Sequence, residues 1–363
     1  MHSLFGLKTD IKRMFPPVNN RLSAMPQEKH YAIARLLIIL VILAGSGCQK
    51  ADTLTSHGLK EYNNKQYDKA VDLFTRALSS QPSNPIALMG RGNAWAEMKQ
   101  YTNALEDYNK LIDFDPSSFA AYFSRGLLWA EMGETSAAIE DYTTTVRLRP
   151  DHVAALVNRA DLLKKQGQIE RAVEDYTAVL NMSPKDAKAL RSRGYLRITL
   201  GRYSEAIDDY ADSLVLEPAN SSAFANRADA WYMLENYSNA ISDYREAIKL
   251  QPDLQAPLNN LAWILATCTN AAYRNGAEAV CLAQRVLQAG PNEIDCARLA
   301  DTYGTLAAAY AETGDYKSAV HFQSEAIRLS RESSGDIREL EKQMALYRQE
   351  TPLRMRRGPS SPQ

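Results

Sequence analysis

Six prolines, Pro82, Pro116, Pro150, Pro184, Pro218 and Pro252, stand 34 residues apart. Two further columns keep the same step. One is Ala70, Ala104, Ala138, Ala172, Ala206 and Ala240; the other is Phe74, Tyr108, Tyr142, Tyr176, Tyr210 and Tyr244. Columns held in register this way define an internal repeat. A repeat of this length builds a stack of similar supersecondary units instead of one globular core. Such a stack offers an extended surface and few places to enclose a reaction centre.

The copy at 119–152 shows what one unit contains. Tyr122, Gly126 and Trp129 fall on one face of a first helix, and Ala138, Ile139, Tyr142 and Val146 on one face of a second. Gly133 suits the left-handed residue that ends many helices. Pro150 lacks an amide proton and biases Arg149 away from the helical region, so it closes the unit. The first helix carries a small residue that recurs as Gly58, Gly92, Gly126, Ala160, Gly194 and Ala228. With the alanine column it lets two helices approach closely, and the aromatic column fills the space beside them.

This order of small residue, alanine, aromatic and proline resembles the tetratricopeptide repeat. The resemblance covers 51–254 in six regular copies and implies an all-α, right-handed superhelical solenoid of antiparallel helix pairs. Two irregular copies fill 255–334. In the seventh, 268–274 lengthen the turn before a helix expected from about Gly276 to Ala289. The eighth has Gln323 where the aromatic belongs and no closing proline. At 335–350, Ile337, Leu340, Met344 and Tyr347 form one apolar stripe, which reads as a capping helix. The tail 351–363, with three prolines and three arginines, reads as disordered.

Arg91, Arg125, Arg159, Arg193 and Arg227 directly precede the small position, and Asp107, Asp141, Asp175, Asp209 and Asp243 directly precede the aromatic. Strict repetition points to salt bridges between first and second helices instead of a ligand ladder. As surface pairs they would contribute about 0–1 kcal/mol each and serve register more than stability.

An apolar run from Leu36 to Ala44 follows Lys29 and Arg35 and precedes Gly45, Ser46, Gly47 and Cys48. It is too short to span a bilayer and suits the hydrophobic region of a secretory signal. Small residues just before a cysteine resemble the bacterial lipoprotein signal. That resemblance implies cleavage of 25–47, acylation of Cys48 and a membrane tether at 48–50, with 1–24 a non-native or cleaved leader ahead of Met25. It implies a lipoprotein of the bacterial cell envelope facing the periplasm, and Gln49 after the cysteine leans towards the outer membrane. Two or more acyl chains anchor firmly.

The net charge of −1 argues against a dedicated nucleic-acid binder. Cys268, Cys281 and Cys296 all lie in or near the irregular seventh copy. Cys268 and Cys281 flank the long turn and a disulfide is open to them, as is a role as buried apolar thiols. No spacing suggests a metal site, Gly90 and Gly92 lie inside a helix with no strand before it, and no serine sits in a nucleophile elbow. We therefore expect no enzyme, cofactor, metal or small-molecule substrate.

In the tetratricopeptide family the first helices line a concave groove that holds a protein or peptide partner. Carried over by position, the resemblance implies Met89 and Asn93, Phe123 and Leu127, then Asp161, Lys164 and Lys165. In later copies it implies Arg191, Tyr195 and Ile198, then Asp229, Tyr232 and Met233, then Asn259 and Trp263. Tyr195, Tyr232 and Trp263 are expected to form a partly exposed stripe. The family's chaperone-tail clamp needs a lysine where Met89 stands before Asn93, so recognition of a chaperone tail is not expected. The reading is a membrane-tethered docking scaffold. The competing class is a cell-wall enzyme or enzyme regulator using groove acids such as Asp161 and Asp229.

Overall fold

The computed structural model describes residues 49–288, 296–333 and 335–354. The leader, the signal and Cys48 lie outside the described residues, as do 355–363. The described residues hold 17 α-helices and no strand. Packing divides the chain into two compact units, one ending at Asp186 and the other beginning at Ala187.

The first unit contains four helix pairs: α1 (Gln49–Asn63) with α2 (Tyr67–Ser80), α3 (Pro85–Glu97) with α4 (Tyr101–Phe114), α5 (Phe119–Glu131) with α6 (Thr135–Leu148), and α7 (Val153–Lys165) with α8 (Ile169–Met182). Each boundary has a chemical cause. Asn84 caps α3 by accepting from the amides of Ile86 and Ala87, and Pro85 sits where no amide is needed. Gly133 follows α5 at φ +83°, a conformation a side chain would resist. Arg149, ahead of Pro150, leaves the helical region at φ −140° and ends α6.

The close crossings expected of the small column are present. A Cβ on Gly92 would lie 2.8 Å from the Tyr108 ring, and one on Gly126 would lie 2.9 Å from Tyr142. Phe74, Tyr108, Ala70, Ala104 and Ala138 are all fully buried.

The second unit opens with two more regular pairs, α9 (Ala187–Thr199) with α10 (Tyr203–Leu216) and α11 (Ser221–Met233) with α12 (Tyr237–Leu250). Next come α13 (Gln255–Thr267), a 3-10 turn at Ala271–Tyr273, α14 (Gly276–Gln288), α15 (Cys296–Glu312), α16 (Tyr316–Glu332) and α17 (Arg338–Arg348). The long turn is tied down by Arg274, which donates to the Cys268 and Thr269 carbonyls and pairs with Glu312 at 2.9 Å. Gln323, the departure from the aromatic column, is fully buried and donates to the Leu340 carbonyl (2.9 Å) and to Gln343 (3.2 Å). An amide stands there because the capping helix presents polar groups to that position. Met344 and Tyr347 seal α17 against the unit, as the stripe implies.

The start of the tail corrects the expectation of disorder. Leu353 is buried in the core of the second unit, and Arg354 pairs with Glu312 at 2.5 Å. Burial of one leucine and a charge on Glu312 outweigh a proline- and arginine-rich composition over 351–354.

Candidate functional site

The charge ladder is structural, and its energetics differ from the surface estimate. Each arginine grips its aspartate at two points: Arg91 Nε and Nη2 lie 2.8 and 2.7 Å from Asp107, and Arg125 lies 2.8 and 2.7 Å from Asp141. Arg159 holds Asp175, Arg193 holds Asp209 and Arg227 holds Asp243 in the same way. The aspartates are 2–6 % exposed, so these are buried pairs. In the first unit Nη1 reaches further, from Arg91 to Thr75, Arg125 to Asn109 and Arg159 to Thr143. One guanidinium thus joins its own helix to the second helices of its own and the preceding copy. The Asp141 hydrogen bond holds the Arg125 guanidinium above its ordinary range.

The first-helix positions implied by the family are then sorted by burial. Met89, Asn93, Phe123, Leu127, Asp229, Tyr232, Asn259 and Trp263 are all buried. Several serve as internal acceptors or packing partners. Tyr108 donates to Asn93 (2.8 Å), Tyr176 to Asp161 (2.7 Å) and Tyr244 to Asp229. Phe123 lies against His152, ring centroids 4.5 Å apart, and Asn259 donates to Asp301 at 2.7 Å. Tyr232 and Trp263 belong to the core of the second unit. The expected exposed stripe is therefore corrected: of its three rings only Tyr195 is half-buried, while Tyr232 and Trp263 lie in one buried cluster with residues of α14 and α15.

What stays accessible differs between the units. In the first, Lys164 and Lys165 are exposed in the last turn of α7, where their charge also suits the helix C-terminus. Asp161 is half-buried. In the second, Tyr195, Ile198 and Met233 are half-buried, and Arg191 pairs with Glu217 at 2.5 Å.

Two features escaped the sequence reading. The residue following the small position is the tyrosine's acceptor, in Asn93, Asp161 and Asp229, always 15 residues ahead of that tyrosine. They recur 68 residues apart, in alternate copies, with Leu127 and Tyr195 in the copies between, and that step was the available signal. A second column, two residues before four of the six prolines, places apolar Phe114 (57 % exposed) and Met182 in the first unit and Leu216 and Leu250 in the second at the surface.

The three cysteines are unpaired: Cys268 is buried, while Cys281 and Cys296 are exposed. Burial pushes the Cys268 thiol up, which makes it an inert apolar filler. Among the described residues no three acids, histidines or cysteines are grouped to hold a metal, and no helix is long and apolar enough to cross a membrane.

A tetratricopeptide repeat profile matches 56–119, 157–223 and 198–254, and a second tetratricopeptide repeat profile matches 299–337. Together they cover more than half of the chain. A 53-residue stretch is 43% identical to the heat-shock protein cognate co-chaperone sgt12 of Aspergillus fumigatus. That stretch is 15% of this chain and 16% of the relative, so the chain spans about a sixth of that protein's length. Among solved structures, the C-terminal part of a TPR repeat-containing protein from Cytophaga hutchinsonii matches with a TM-score of 0.54 and 17% identity, over 65% of this chain and 95% of that one. This likeness shows the fold. YrrB, described as a TPR protein with an unusual peptide-binding site, matches with a TM-score of 0.49 and 21% identity, over 52% of this chain and 96% of that one.

Proposed function

Because this chain belongs to the tetratricopeptide repeat family, a family of protein-interaction scaffolds, we propose that it is a non-catalytic docking protein tethered to a bacterial membrane. The partner is a protein or peptide. The observation that carries the docking reading is the sorting of first-helix residues. Most are closed into the fold, and Lys164 and Lys165 in one unit and Tyr195, Ile198 and Met233 in the other remain accessible. Half-buried rings and aliphatic chains gain by further burial, at about 25 cal/mol per Å² of apolar area removed from water. Exposed lysines add selectivity for an acidic segment.

Both acids named for the enzyme reading have partners within the fold. Asp161 accepts from Tyr176, and Asp229 is closed inside α11, α12 and α13. The tether rests on the sequence around Cys48, and an envelope role follows from it.

Site-specific photocrosslinking tests the docking reading. A crosslinker at Tyr195 or Lys164 should capture one discrete partner. The same group at Val215, 79 % exposed on α10, should capture none. Equal capture at Val215, or none at either first-helix position, moves the binding surface elsewhere. For the tether, Cys48→Ser should shift the protein from the detergent phase to the soluble fraction or block its processing. A mature N-terminus upstream of Cys48 would refute acylation.

A further inference from the structure

The ladder aspartates show how this fold usually keeps a carboxylate inside, each with a two-point arginine. Asp229 is as buried, at 4 % exposure, but has a different set of partners. The Tyr244 hydroxyl on α12 and the Asn260 amide on α13 (3.1 Å) both donate to its Oδ1. Among the described residues no lysine, arginine or histidine forms an ion pair with it. The surrounding groups supply no unpaired positive charge. From α10, Tyr210 faces it, with Asp209 already held by Arg193 and Arg197. From α9, Tyr195 faces Tyr210. On α12, Asp243 is held by Arg227, and Tyr232 of α11 lies near Tyr244.

We propose that Asp229 is a proton-linked latch: neutral, it fastens α11 to α12 and α13; ionised, it puts an uncompensated charge at that junction and loosens it. Low-dielectric surroundings penalise the charged form more than two neutral donors favour it. Burial pushes the Asp229 carboxyl up to about 7, against the opposing pull of the Tyr244 and Asn260 hydrogen bonds. Burial, reinforced by Asp229, keeps the Tyr244 phenol protonated and therefore a donor.

The sign follows. An aspartate in an unfolded segment titrates near about 3.9. The folded junction therefore holds an extra proton between about pH 4 and about pH 7. Its stabilising contribution is complete below that window and is lost as the pH rises through it.

Amide hydrogen exchange of the full chain, corrected for the intrinsic effect of pH, reads this directly. In the wild type, opening of α11, α12 and α13 should grow up to about tenfold per pH unit between about pH 5 and about pH 7. Asp229→Asn keeps the shape and cannot ionise, so its profile should be flat over the same range. Tyr244→Phe removes a donor that favours the anion and should move the midpoint to higher pH. Identical profiles for the wild type and Asp229→Asn would overturn the proposal. Should Asp229→Asn fail to fold, Tyr244→Phe decides: an upward shift supports the latch, and an unmoved midpoint refutes it.

Discussion

The five copies from the second to the sixth and the two irregular copies after them solve one packing problem with opposite chemistry. In the former, the residue before the small position is arginine and the residue before the aromatic is aspartate. In the seventh copy the corresponding residues are Leu261 and Leu282, and in the eighth Leu306 and Phe322. Leu261, Leu282 and Leu306 are buried, and Phe322 stacks between Tyr303 and Tyr310 at centroid distances of 5.9 and 5.4 Å. The crossing therefore has to be filled, and charge is one way to fill it. The ionic version carries a desolvation penalty and gains direction, since a two-point fork fixes which helices meet and at what offset. The apolar version lacks that geometric restriction.

The largest expected effect comes from breaking one ionic crossing. Arg159→Ala leaves Asp175 buried and unpaired and should lower stability to denaturant by about 3–5 kcal/mol. The double change Arg159→Leu with Asp175→Leu imitates the seventh copy and should be nearly neutral or stabilising by about 1–4 kcal/mol. A single variant that loses less than about 1 kcal/mol would return the ladder to the class of surface pairs.

A smaller effect should be common to both regions. Ala172 and Ala319 are fully buried members of the alanine column on either side of the change in chemistry. Phenylalanine at either position should cost about 1–3 kcal/mol by overpacking. An unchanged unfolding midpoint at one of them would show that its crossing is not tight.

The smallest effect concerns a cap within the ladder copies. His152 Nδ1 accepts from the Ala155 amide, and burial, aided by Arg149, pushes its imidazole down to about 4. An unfolded histidine titrates near about 6.5. Stability of the first unit should therefore fall as the pH drops from about 6.5 towards about 4, because the unfolded chain takes up the proton first. The loss should be on the order of 1 kcal/mol near the middle of that window. His152→Asn keeps a cap acceptor and should remove this dependence. This sign is opposite to that proposed for Asp229, so pH titration of the two variants separates the two groups.

Helix pairs, their length and their tight crossings were legible in the sequence because small, aromatic and proline residues act locally and recur. The ladder was legible as a pairing for the same reason, and its burial was not, since spacing does not reveal what covers a pair. Trp263 shows where residue type misleads. An aromatic on a first helix reads as a surface anchor, whereas this ring lies in one buried cluster with residues of the helices after the long turn. Leu353 and Arg354 show the same gap for the tail, where composition says nothing of a core leucine slot and a waiting Glu312.

The central claim is that the regular charges hold the fold together while the irregular, accessible first-helix residues bind. Affinity capture from membranes with mass spectrometry tests it on three versions of the full chain. They are the wild type, the ladder swap Arg159→Leu with Asp175→Leu, and a surface variant with Lys164→Glu, Lys165→Glu, Tyr195→Ala and Ile198→Ala, each checked for helicity. The account predicts the same partner with the wild type and the swap, and its loss from a folded surface variant. Loss with the swap and retention with the surface variant would make the ladder the binding element and contradict the account.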